Sequence, residues 1–131
     1  MTDLSYFLLR LMVGISFFGH GLVRLPKLAG FSQWMTNAFA RSILPQSIVM
    51  PFSYILPVAE FIIGLLLILG LFSGKAMVAG CVVVVMLIFG TCMIENWEAL
   101  PSQMIHGLIL IVLLQFWASN NISLDKFLSK A

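Results

Sequence analysis

Between Phe52 and Gly70 the sequence carries no charge except Glu60, which stands near the middle of a predominantly apolar stretch. About 20 such residues in a helix cross roughly 30 Å of hydrocarbon, so the stretch is long enough to span a bilayer. A carboxylate at that depth costs about 2.5–3.5 kcal/mol on insertion scales. A chain that keeps it must supply a partner, a proton or a task. Arg10 and His20 in the first apolar segment, and His106 in the last, raise the same demand.

Composition agrees with a membrane setting. Hydrophobic residues make up 61% of the 131-residue chain and charged residues 9%, with a mean hydropathy of +1.08. Soluble domains carry about 25% charged residues, so this chain has too little polar surface to face water. The length allows one compact domain and no separate soluble catalytic domain. A net charge of +2 on scattered basic residues is too small to imply a nucleic-acid partner, and none is expected. Cys81 and Cys92 fall in one apolar run, about 16 Å apart on a helix, too far to form a disulfide.

The expected fold is all-α: an integral membrane four-helix up-down bundle forming one domain over residues 1–131. Its crossings fall at about 4–25, 51–72, 76–94 and 101–119. Pro26 closes the first, Pro57 is placed to kink the second, and Pro101 sits at the start of the fourth. The first segment has Asp3 and Arg10 and no cleavage signature, so it is expected to remain as a membrane helix. Short connections at Ser73–Lys75 and Glu95–Leu100 force antiparallel neighbours, which puts both termini on one side. Lys75, Lys126 and Lys130 lie on that side and Arg24, Lys27 and Arg41 on the other; counting the amino terminus and Arg10, the balance tips to cytoplasmic termini.

The long connection from Lys27 to Met50 differs. Phe31, Trp34, Met35, Ala38 and Phe39 recur at helical spacing, with Ser32 placed to cap the start and Pro45 to end the pattern. Such an amphipathic helix lies in the membrane surface or packs on the bundle as a lid. Asn120 to Ala131 reads as a short surface helix.

Arg10, Gly14, Phe17, Gly21 and Arg24 share one stripe of the first helix, with His20 beside it. That face is expected to look into the bundle, with Arg10 paired to Glu60 at a compatible depth. The candidate polar site comprises Arg10, His20, Arg24, Glu60 and His106, with Phe31 and Trp34 lining a cavity towards the long connection. Gly14 and Gly21 are expected to open that space. The spacing of His20, Glu95 and His106 does not specify a metal site, and no metal is assigned. Nucleotide, haem, zinc-protease and thioredoxin motifs are missing from the sequence.

These residues resemble the DoxX family of small four-helix membrane proteins. The resemblance is carried by Leu8-Leu9-Arg10-Leu11, His20-Gly21, Arg24-Leu25, Gly30-Phe31 with Trp34, Leu44-Pro45, Pro57-x-x-Glu60 and Gly64-Leu65-Leu66 running on to Gly70-Leu71. It covers roughly Leu8 to Gly107. The family takes its name from a subunit of an archaeal thiosulfate:quinone oxidoreductase. The resemblance therefore implies an accessory or redox-linked subunit of a membrane oxidoreductase complex, in the prokaryotic inner membrane, with a quinone as the expected ligand. Its partners would be the lipid bilayer, other membrane subunits or further copies of itself. The chain lacks the cysteine pairs of related thiol-redox bundles. The alternatives are a purely structural or assembly subunit and a small transporter, and an autonomous enzyme ranks behind a subunit.

Overall fold

The computed structural model describes residues 1–130. Its elements are α-helices throughout: α1 (Asp3–Arg24), α2 (Leu28–Ala38), α3 (Gln46–Leu69), α4 (Ser73–Met93), α5 (Leu100–Gln115) and α6 (Leu124–Ser129). α1, α3 and α4 are long and apolar enough to cross a membrane, α1 being continued into α2 through a single 3-10 turn at Leu25–Lys27. α5, expected to run to about residue 119, stops after 16 residues and gives way to a 3-10 turn at Trp117–Ser119.

α1 and α3 form the tightest pair. A Cβ on Gly64 would lie 2.1 Å from the Phe18 amide nitrogen, and one on Gly21 2.4 Å from that of Phe61. Backbone therefore touches backbone along this seam, the packing that small residues allow where lipid gives no hydrophobic drive. Gly14 meets Leu67 and Ile68 in the same way. The glycines do not open a cavity; α3 fills the space they leave. α4 and α5 pack as a second pair against them, around a core that includes Phe17, Leu56, Ile63, Leu67, Met77, Val84 and Leu110.

α3 begins five residues before Pro51 and runs unbroken through Pro51 and Pro57. It stops at Gly70, whose φ of 66° suits a residue without a Cβ, and the Leu71 amide closes back onto the Leu66 carbonyl. α2 packs on α3 as a lid. Ser32 is not its cap, because the helix starts one turn earlier; buried, it receives a 2.7 Å hydrogen bond from the Ser53 hydroxyl. Met35 and Phe39 are buried beneath α2, while Trp34 stays 59% exposed. The two termini meet at the opposite end, where Ser119 Oγ donates to the Met1 carbonyl and Asn121 Nδ2 to Asp3.

Candidate functional site

The α1–α3 register decides which charges meet. With Gly14 against Ile68 and Gly21 against Phe61, Arg24 comes opposite Glu60, and Arg10 falls well below it against Gly70. Arg24 Nη1 donates to Glu60 Oε2 at 2.8 Å, the one ion pair among the described residues. The expected Arg10–Glu60 pair does not form. Depth counted from the ends of the apolar runs misjudged the register by more than a turn, because packing of the glycine seam, not run length, sets it. Arg10 is 1% exposed and instead donates to Asn120 Oδ1 and, at 2.8 Å, to the Ile122 carbonyl. It belongs to the closed end of the bundle, away from the other candidate residues.

Those others come together. A cavity of about 310 Å³ lies at the α2 end of the bundle, and His20, Arg24, Phe31, Trp34, Glu60 and His106 all line it. Phe17, Phe39, Phe52, Leu56 and Val84 supply apolar walls, and Thr91 and Gln103 add a polar patch. The Arg24 guanidinium lies 4.6 Å over the Phe31 ring, which stacks in turn on Trp34. The lid thereby holds the cation from above while Glu60, 5% exposed, holds it from the side.

The histidines are oriented by the helices that carry them. His20 Nδ1 lies 2.6 Å from the Ser16 carbonyl and His106 Nδ1 2.7 Å from the Ser102 carbonyl, each one turn back. A carbonyl only accepts, so each Nδ1 carries the proton. In the neutral ring each Nε2 is then a lone-pair acceptor. That of His106 receives the Ser16 hydroxyl at 2.7 Å, whereas that of His20 makes no hydrogen bond among the described residues. The two rings stand edge to face with centroids 6.3 Å apart. No group of three metal-ligating side chains occurs among the described residues.

Ser16 and the Thr91–Gln103 hydrogen bond (2.8 Å) were not picked out by sequence reasoning. Single hydroxyls and amides inside apolar helices carry no spacing signal. Only the partner across the bundle reveals them.

The comparisons with known proteins bear on this site. A protein-family model described as DoxX matches residues 5–93, more than half of the chain. The chain belongs to the DoxX family. No curated protein and no solved structure matches it. The match spans α1 to α4, so Arg10, His20, Arg24, Phe31, Trp34 and Glu60 fall within the DoxX segment and His106 outside it.

Proposed function

We propose that this DoxX-family membrane protein is an accessory, redox-linked subunit of a membrane oxidoreductase complex and holds a quinone-like ligand in the cavity beneath α2. One observation carries the reading. An aromatic-walled cavity of about 310 Å³ has a buried, ion-paired carboxylate and two oriented histidines on its wall. Apolar walls with few convergent polar groups suit a small lipid-soluble molecule, and ionisable groups within membrane helices are biased towards function. In this reading α5 completes a fourth crossing, with modest local thinning of the bilayer. The protein sits in the prokaryotic inner membrane, with Lys75, Lys126, Lys130 and the amino terminus on the cytoplasmic side.

Purification in mild detergent tests the first half: a membrane oxidoreductase should copurify in fixed ratio. The variants His20→Ala and Glu60→Gln test the second, and are expected to assemble into that complex while abolishing its quinone-dependent activity. The second reading, a purely structural subunit, is favoured by one observation: the Arg24–Glu60 bond bridges α1 and α3 and so ties the two helices together. Normal activity in both assembled variants would establish it in place of the first.

A further inference from the structure

We infer that the cavity selects a ligand that donates hydrogen bonds, a phenol or hydroquinone, over the corresponding carbonyl form. The inference rests on the ligand site proposed above and specifies what that site takes.

Acceptors without partners stand on the cavity wall. Glu60 Oε2 is occupied by Arg24, while Oε1 of the same carboxylate has no hydrogen bond among the described residues. A carboxylate offers only lone pairs, so anything that bonds to Oε1 must bring a proton. His20 has its Nδ1–H committed to the Ser16 carbonyl, leaving Nε2 as an acceptor on the same cavity. His106 has both nitrogens engaged and is closed to a ligand. Gln103 Oε1, buried at the cavity wall, is a further acceptor without a partner.

Donors stand on the same wall, among them the Thr91 hydroxyl, which accepts from Gln103 and keeps its own proton. Arg24 has its charge answered by Glu60 and its plane covered by Phe31, and Trp34 is largely exposed. The charged group with an open position is Glu60, and the His20 acceptor shares its cavity. A hydroxyl pointing at Glu60 meets an unfilled charged acceptor; a carbonyl at that position faces a carboxylate across an apolar wall and gains nothing. A buried acceptor left unmatched costs more than a made bond contributes, which is why sites of this kind discriminate sharply.

The test uses the full chain in lipid nanodiscs under argon, titrated calorimetrically with three ligands sharing one ring: trimethylhydroquinone, its quinone and its dimethyl ether. Empty nanodiscs correct for partitioning. The hydroquinone is expected to bind about tenfold more tightly than the other two, the effect of one charge-assisted hydrogen bond. His20→Phe, at an exposed position that spares the Arg24–Glu60 pair, is expected to weaken the hydroquinone severalfold, more than it weakens the quinone. Equal binding of all three ligands would overturn the donor selectivity while leaving the site itself intact. Binding of none above empty nanodiscs would overturn both. A hydroquinone preference that persists undiminished in His20→Phe and Glu60→Gln alike would also overturn the assignment.

Discussion

The two ends of the bundle each solve the problem of an arginine within a membrane helix, and they solve it oppositely. At the closed end Arg10 is 1% exposed and is bound by Asn120 and the Ile122 carbonyl. It also packs on Gly70, at the C-terminus of α3, where a helix dipole favours a cation. It does not line the cavity at the α2 end. At the open end the Arg24 side chain is 26% exposed, shares one hydrogen bond with Glu60, and borders a cavity whose acceptors are unfilled. The same residue type thus serves as a rivet where its two terminal nitrogens are held by the chain and Nε alone has no partner, and as part of a site where its partner keeps one oxygen free. What the guanidinium is bonded to, not charge itself, separates structure from candidate function in this molecule.

The largest expected effect tests that contrast directly. Arg10→Met should cost about 3–5 kcal/mol, because it strands the buried Asn120 side chain and the Ile122 carbonyl and frees the C-terminal segment. Glu60→Leu should cost less, about 1–3 kcal/mol, since Arg24 still reaches water and Phe31. Denaturant titration in mixed micelles measures both. The contrast between rivet and site breaks should Glu60→Leu prove the more damaging.

Between the two ends lies the seam that keeps them apart in register. Gly64→Ala places a methyl 2.1 Å from the Phe18 amide, with backbone that has no rotamer to yield. The expected cost is about 1–3 kcal/mol, with the helices pushed apart and the Arg24–Glu60 bond weakened. Gly19→Ala, with nothing within 4 Å of the added carbon, should be neutral or slightly stabilising. Equal effects of the two changes would mean that the seam is not what sets the register.

Much of this architecture was legible in the sequence, for reasons that differ by region. The long apolar helices, their short connections and the amphipathic lid follow from hydropathy and periodicity, which depend on local sequence alone. The inward stripe of α1 was also readable, since an arginine facing lipid is too costly. The partner of each charge was not. Arg10 is answered from Asn120 and Ile122, far along the chain, and neither an asparagine nor a backbone carbonyl advertises itself in advance. Glu60 and Arg24 meet because Gly14, Gly21 and Gly64 let two backbones slide into contact. That register is a property of packing, and a residue's distance from a hydrophobic boundary does not encode it. The shortness of α5 was hidden for a related reason: Phe116 to Ser119 continue the apolar pattern, but the chain turns there to bring Asn120 beneath Arg10.

The smallest effect belongs to the outer edge of the rivet. Asp125 accepts the Phe72 and Ser73 amides at 2.7 and 2.8 Å, capping the start of α4, while its own amide donates to the Gly70 carbonyl. The cap is needed because Phe72 enters α4 with φ at 47°, a left-handed conformation that costs a bulky residue energy. Partial burial disfavours the Asp125 carboxylate, but its bonds from Ser73 and Phe72 and the charge of Arg10 outweigh this and hold its pKa below the ordinary value of 3.8. A depressed folded-state pKa means that the carboxylate's contribution is complete above the unfolded value and disappears as pH falls through the lower, folded one. Asp125→Asn should therefore cost about 0.5–1 kcal/mol at neutral pH, the scale of a charged group at a helix N-terminus. That difference should vanish in acid. Melting curves of both proteins from neutral pH into the acid range follow the prediction, which fails if the gap between them stays constant. Because Asp125 lies far from the cavity residues, ligand affinity should not change, and an affinity that tracked Asp125 would show the two ends to be coupled after all.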